Sequence, residues 1–301
     1  MNKKIRHISD TILPLNEDIQ DRYGKPKQLD LTILPNINNL LWGLKKKKLI
    51  IIAGRPSMGK SSLMMGMAWC FAGVGNKALF CNLETTIEEF SERLLSYSQQ
   101  IDNFDLTTGR CTQVHNYVND INKYKIESKK RNLMVSEDYG KTFEDLLEAI
   151  NKTGDDYDVV FIDYLQKIRM SGRTERESMD SYLNQLTDLA IEKDVCIVLG
   201  SQINRSTHEG KNTEAPMMHE IKGSGGIEEK AHQVWLLHWP WWYDKDSEKN
   251  SYEIRIAKNK DGRIGKHNVF YYPQFYKITE EKHGHDAEDE SRRDRTAYMH
   301  D

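Results

Sequence analysis

The octapeptide Gly54-Arg55-Pro56-Ser57-Met58-Gly59-Lys60-Ser61 fits the pattern G-x-x-x-x-G-K-[ST], and its setting constrains the chain more than any other feature. The apolar, β-branched run Leu49–Ala53 precedes it and a helical pattern over Gly59–Ala72 follows, which is the strand, loop and helix order such a loop requires. A loop of this kind turns its backbone N–H groups inward at a helix N-terminus, where the macrodipole favours anions, and cradles β- and γ-phosphates. Gly54, Arg55, Pro56, Ser57, Met58, Gly59, Lys60, Ser61 and Ser62 are therefore the candidate ATP-phosphate residues. Lys60 supplies a point charge, and the Ser61 hydroxyl is the expected Mg²⁺ ligand.

From Leu31 onward, short apolar runs alternate with longer amphipathic segments, the pattern of βαβ units and a mostly parallel sheet. Strands are expected at Leu49–Ala53, Ala78–Leu83, Leu133–Ser136, Val159–Asp163 and Cys196–Ser201. Helices fit at Gly59–Ala72, Thr86–Gln99, Thr142–Asn151 and Met179–Lys193, the second opening with Thr85-Thr86 and Glu88-Glu89 at capping-box spacing. After Gln202, a polar, Gly-rich stretch runs to Gly226. Shorter apolar runs follow at Val234–His238, Tyr252–Ala257, Asn268–Tyr272 and Phe275–Ile278, and they read as antiparallel additions to the sheet edge. The expected fold class is α/β, a mostly parallel central sheet with helices on both faces and antiparallel strands near the C-terminus.

The termini differ from this body. Residues 1–30 read as an arm or linker with a short helix over Leu15–Tyr23, stopped by Gly24-Lys25-Pro26. Residues 280–301 carry eight acids against four Lys/Arg and read as a solvated tail. The longest charge-free run, Ser61–Asn76, is broken by glycines and falls short of the ~20 apolar residues that span a bilayer, so no membrane association is expected. The N-terminus has no uninterrupted apolar segment of a secretory signal, and a cytoplasmic location is the default. Cys70, Cys81, Cys111 and Cys196 lack paired CxxC spacing and read as reduced core thiols. With 43 Lys+Arg against 46 Asp+Glu the chain is no polycation, and only local patches can bind nucleic acid.

A phosphate loop needs a carboxylate across the metal, and Val159-Val160-Phe161-Ile162-Asp163 ends an apolar strand with one, which makes Asp163 the second candidate Mg²⁺ residue. Glu84 follows the strand Ala78–Leu83 at the edge where ligands bind in parallel sheets. It either polarises an attacking water or merely precedes a helix cap. Gln202 closes the strand Cys196–Ser201 in the same way, as a γ-phosphate sensor or a plain loop amide.

These pieces in this order resemble the RecA-like ATPase domain of DnaB-type replicative helicases over most of Leu31–Ile278. The residues that carry the likeness are Gly54–Ser61, Asn82-Leu83-Glu84, Val160–Gln166, Ser201-Gln202-Ile203-Asn204-Arg205, Pro216–Glu228 and Ala257-Lys258-Asn259-Lys260-Asp261-Gly262. The resemblance implies Glu84 as catalytic base, Asp163 as the Mg²⁺-associated acid and Gln202 as γ-phosphate sensor. It further implies a homo-hexameric ring with ATP between neighbours, single-stranded DNA in the channel, and 5′→3′ translocation. Glu220, Lys222, Gly223, Ser224 and Gly225 then fall in the DNA-binding loop, and Lys258 and Lys260 in a finger that reaches a neighbour's nucleotide. A primase or a helicase loader is the further partner it suggests.

Two departures stand out. The finger carries Lys258 and Lys260 where the family has lysine followed two residues on by arginine, so either Lys260 acts, Arg263 substitutes, or hydrolysis is slow. Only about thirty residues precede the resemblance, where the family usually carries a separate helical domain. The Trp-rich stretch Ala231–Tyr243 reads as packing or as a cover over a nucleotide rather than a base-stacking DNA platform. His232 and His238 suggest no metal site, and Lys45–Lys48 reads as an exposed turn. Two other functions fit the same residues: a recombination or annealing ATPase that binds single strands without unwinding, and a nucleotide-switched assembly or loading factor.

Overall fold

The computed structural model describes residues 29–114, 116–136, 142–152, 156–168, 175–203, 214–221 and 224–282. The expected helix at Leu15–Tyr23 and most of the acidic tail lie outside them. Nine strands form one sheet: β1 (Leu49–Gly54), β2 (Ala78–Asn82), β3 (Leu133–Ser136), β4 (Val159–Asp163), β5 (Cys196–Gln202), β6 (Gln233–His238), β7 (Ser251–Asn259), β8 (Gly265–Tyr272) and β9 (Lys277–Thr279). Their order is β3-β2-β4-β5-β1-β6-β7-β8-β9. The strands from β3 to β6 run parallel, and β7, β8 and β9 add on antiparallel. Val234–His238 is no antiparallel edge strand, because β6 pairs in parallel with β1 and continues the central sheet.

The helices are α1 (Pro35–Leu41), α2 (Lys60–Gly73), α3 (Ile87–Gln99), α4 (Asn103–Thr107), α5 (Cys111–Val114), α6 (Tyr117–Lys129), α7 (Phe143–Lys152), α8 (Glu175–Glu192), α9 (Ser224–Lys230) and α10 (Pro240–Tyr243). Alternation along buried strands sorts the core into two layers. Ile50, Ile52, Phe80, Phe161 and Val198 face α2 and α3, where Phe161 stacks between Phe71 and Phe80. Ile51, Leu79, Val160, Ile162 and Ile197 face the opposite way onto α7, α8 and α9. At full burial each such side chain contributes about 1.5–3 kcal/mol, so both faces are held independently of the loops at the strand ends. All four cysteines are free and buried.

Local chemistry sets the helix starts. Thr86 caps α3, its hydroxyl accepting from Glu89 N at 3.2 Å while the Glu89 carboxylate accepts from Thr86 N at 3.4 Å. Glu280 caps α1, its carboxylate accepting from Asn36 N at 2.7 Å and Ile37 N at 3.1 Å. The Lys45–Lys48 turn is pinned to the body by ion pairs of Lys45 with Asp261, Lys46 with Asp158 and Lys47 with Asp194. Among the described residues, no helix is long and apolar enough to cross a membrane.

Candidate nucleotide site

The phosphate loop leaves β1 at Gly54 and enters α2 through Gly59, whose φ of +76° is a left-handed conformation that favours glycine. A Cβ added there would also sit 3.1 Å from the ring of Tyr271 on β8. The Tyr252 hydroxyl on β7 donates to the Met58 carbonyl, and the Ser62 and Tyr271 hydroxyls lie 3.4 Å apart. Two antiparallel strands thus brace the back of the loop with buried tyrosines.

Lys60 folds over the loop, its Nζ donating to Gly54 O at 3.1 Å and Arg55 O at 3.4 Å. Burial lowers its pKa, and the charges of Asp163 and Glu84 act in the opposite direction. Asp163 is fully buried at the end of β4, and that burial pushes its carboxyl up to about 6. A hydrogen bond from Ser61 opposes the shift, Glu84 reinforces it, and Lys60 and Arg93 oppose it again. The Oδ1 atom of Asp163 is buried without a hydrogen-bond partner. A desolvated carboxylate with an open oxygen beside a serine hydroxyl is a donor set of hard oxygens that suits Mg²⁺.

Glu84 projects from the turn after β2, where it is exposed. Asn82 shapes this turn, donating to Thr85 O at 2.7 Å and accepting from Thr85 N at 3.3 Å and from the Thr85 hydroxyl at 3.1 Å. Gln202 closes β5, its backbone N donating to Gln166 Oε1 at 3.1 Å while Gln166 Nε2 donates to the Ser201 hydroxyl at 3.1 Å. Lys60, Ser61, Glu84, Asp163 and Gln202 all line one cavity of about 710 Å³ at the carboxyl ends of the parallel strands.

Arg93, Tyr271 and Tyr276, which sequence reasoning did not place in the site, line the same cavity, as does Trp242 of the stretch expected to pack or to cover a nucleotide. Arg93 sits three residues after the core residue Phe90 on the amphipathic α3, a spacing that marked it as bordering the buried face, and its guanidinium lies 5.6 Å from the Tyr276 ring. Trp242 is 44% exposed on α10, while Trp239 is buried against Trp241, Trp242 and Tyr271. The tryptophan cluster therefore packs and also forms part of the cavity wall.

The remaining candidates lie elsewhere. Lys258 and Lys260 do not line this cavity. They grip the C-terminal end of α9, Lys258 Nζ donating to Glu228 O and Lys260 Nζ to Glu229 O at 3.1 Å, a favourable place for cations. Between them and the start of the strand, β7 bulges at Ala257, where the pairing passes from Trp235 with Ile256 to Val234 with Lys258. Lys222 and Gly223 fall outside the described residues. Ser224 and Gly225 open α9, and at Gly226 an added Cβ would run into the Asp180 carboxylate of α8. Glu220 points back to the phosphate loop, with Oε1 3.4 Å from Arg55 Nη2.

A family model described as DnaB-like helicase C terminal domain matches residues 31–280. The chain belongs to this family. Among curated relatives of this DnaB-like domain, Replicative DNA helicase DnaC of Bacillus subtilis (strain 168) is 26% identical over 300 residues, covering 91% of this chain and 62% of that protein. Replicative DNA helicase DnaB of Helicobacter pylori is 30% identical over 266 residues, covering 85% of this chain and 52% of that protein. The chain thus spans about half to three fifths of the length of these relatives. The DnaB-like fold is also that of an ATPase domain of solved structure, at TM-score 0.83 and 22% identity, covering 93% of this chain and 100% of that one. A DnaB-like replicative helicase solved for its interactions with primase has TM-score 0.81 and 21% identity, covering 92% of this chain and 67% of that one.

Proposed function

We propose that this chain is the motor of a replicative DNA helicase, which hydrolyses ATP in a homo-hexameric ring, translocates 5′→3′ on single-stranded DNA in the cytoplasm and so unwinds duplex. The observation that carries this reading is the gathering of Lys60, Ser61, Glu84, Asp163 and Gln202 at one cavity of a DnaB-like domain. Single-stranded DNA, further copies of the chain and a primase or helicase loader are the proposed partners. The likeness to a helicase solved for its interactions with primase supports the last of these.

In this reading Lys60 exchanges the Gly54 and Arg55 carbonyls for phosphate oxygens. Ser61 and Asp163 would hold Mg²⁺, whose chemistry when bound is to neutralise charge on the β- and γ-phosphates. Glu84 accepts the proton of the water whose oxygen bonds to the γ-phosphorus as the bond to the β-bridging oxygen breaks. Gln202 donates its side-chain N–H to a γ-phosphate oxygen, and Arg93 adds a second cation on the cavity wall. Trp242 and Tyr276 offer aromatic faces to the nucleobase.

The test pairs ATP hydrolysis, with and without single-stranded DNA, with displacement of a labelled strand from a forked duplex. Stimulated hydrolysis with ATP-dependent displacement is the expected result. Stimulation without displacement would favour an annealing ATPase, and no stimulation a nucleotide-switched factor.

The finger is read as acting in trans, since neither lysine lines its own chain's cavity. Lys260→Ala is expected to lower DNA-stimulated turnover of the ring by at least about tenfold, less than the roughly 10³–10⁵ of an arginine finger because lysine lacks the bidentate fork. Steady-state hydrolysis on an assembled ring checks this. Unchanged turnover removes Lys260 from the mechanism.

A further inference from the structure

Arg55 occupies a variable position of the phosphate loop, yet its guanidinium does not turn toward the cavity. It is buried, and a buried guanidinium requires compensation. Part of that compensation comes from one segment among the described residues: Arg55 Nη1 donates to Glu214 O at 3.1 Å, and Nη2 lies 3.4 Å from Glu220 Oε1. The Tyr243 ring adds a cation–π face at 5.6 Å. Glu220 is itself 19% exposed and fixed locally, its second oxygen accepting from Met217 N at 2.6 Å.

The same segment is tied to the loop a second time. Ile203, just past Gln202, donates its N–H to Gly54 O at 3.2 Å and forms a β-bridge with Ile221. Residues 220 and 221, at the start of the candidate DNA loop, are thus fastened to Arg55 and, through Ile203, to Gly54, at the start of the phosphate loop.

We propose that Arg55 and Glu220 are a positioning pair that couples nucleotide occupancy to single-strand binding, with Glu220 acting through Arg55 and not as a DNA contact. The inference rests on the helicase reading above. A carboxylate is a poor partner for DNA phosphates and a good one for a buried guanidinium, and Glu220 faces the latter. A phosphate loop that shifts when it closes on a nucleotide moves the charge to which Glu220 is bound, and carries Ile221 with it.

The test is the binding of the full-length chain to a fluorescent oligothymidylate by anisotropy, with and without a non-hydrolysable ATP analogue. The quantity read is the ratio of the two affinities, in which any loss common to both states cancels. By linkage the same ratio must appear in nucleotide affinity with and without DNA. For the wild type a tightening in the range of about 5–150-fold is expected. In Glu220→Gln it falls to within about twofold of unity, and Arg55→Met with Glu220→Gln lowers it no further, as residues of one unit do. If Arg55→Met fails to fold, the ratio in Glu220→Gln decides alone. A wild-type ratio retained by Glu220→Gln overturns the pair and leaves the helicase reading standing. So do separate losses that multiply in the double variant. A wild type whose oligonucleotide affinity ignores the nucleotide overturns both.

Discussion

Replacing Glu84 by glutamine is expected to slow ATP turnover by about 10²–10⁴-fold, the range over which a positioned general base acts. The substitution keeps the side chain's shape and removes its capacity to accept a proton. Glu84 lies outside the phosphate cradle, held over the cavity by the Asn82–Thr85 turn, so nucleotide affinity is expected to change little. Single-turnover hydrolysis beside equilibrium binding of a fluorescent ATP analogue separates the two effects. A variant that binds and hydrolyses like the wild type assigns proton removal to another group; one that loses binding as well makes Glu84 part of the cradle.

Lys60→Ala is expected to fail in both measurements. The loop then offers only backbone N–H groups to the phosphates, and a stabilising charge worth at least about 10²–10³-fold in turnover is gone. Global unfolding is not the expected cause, because burial of the ammonium already opposes its charged form and alanine removes that penalty. Thermal melting of the free protein checks this directly. A melting temperature near that of the wild type, with nucleotide binding and hydrolysis both lost, assigns the loss to the phosphate contact. Retained hydrolysis would exclude Lys60 from the chemistry.

The central strands were readable because parallel strands covered on both faces are continuous apolar runs. Val159–Asp163 falls where expected, and Cys196 opens β5, which runs one residue past Ser201. The orientation of Val234–His238 was not readable, since an apolar run looks the same whether its neighbour is parallel or antiparallel. The helices between Asn103 and Lys129 escaped for a different reason. α4 and α6 carry no fully buried side chains; Tyr117, Ile121 and Tyr124 on α6 are half-buried at helical spacing, but the exposed Phe104, Val118 and Ile126 blur the stripe that would announce these helices. In the site, the octapeptide motif marks Lys60 and Ser61, while Glu84, Asp163 and Gln202 sit at strand ends that pattern could locate. Tyr271 and Tyr276 arrive from the far antiparallel strands and their loops through tertiary folding alone, with no spacing to mark them. The motif places Arg55 in the phosphate loop but does not encode where its guanidinium points, which is toward Glu214 O and Glu220.

β7 begins against the phosphate loop, through the hydroxyl of Tyr252, and reaches Lys258 near its other end, six positions on. At the rise of an extended strand those positions span about 20 Å. From Glu253 to Ile256 the strand is paired on both sides, and such a strand neither stretches nor compresses appreciably, so it works as a ruler up to the bulge. The loop proposed to grip the chain's own phosphates and the cations at the far end of β7 are thereby held a set distance apart, with the bulge as the one point of give. Any shift at the first is delivered at the second as rigid displacement or as rotation about the bulge at Ala257. A ring assembled from such rulers would pass motion from one nucleotide to the next undiminished, the way a gear tooth passes it to its neighbour.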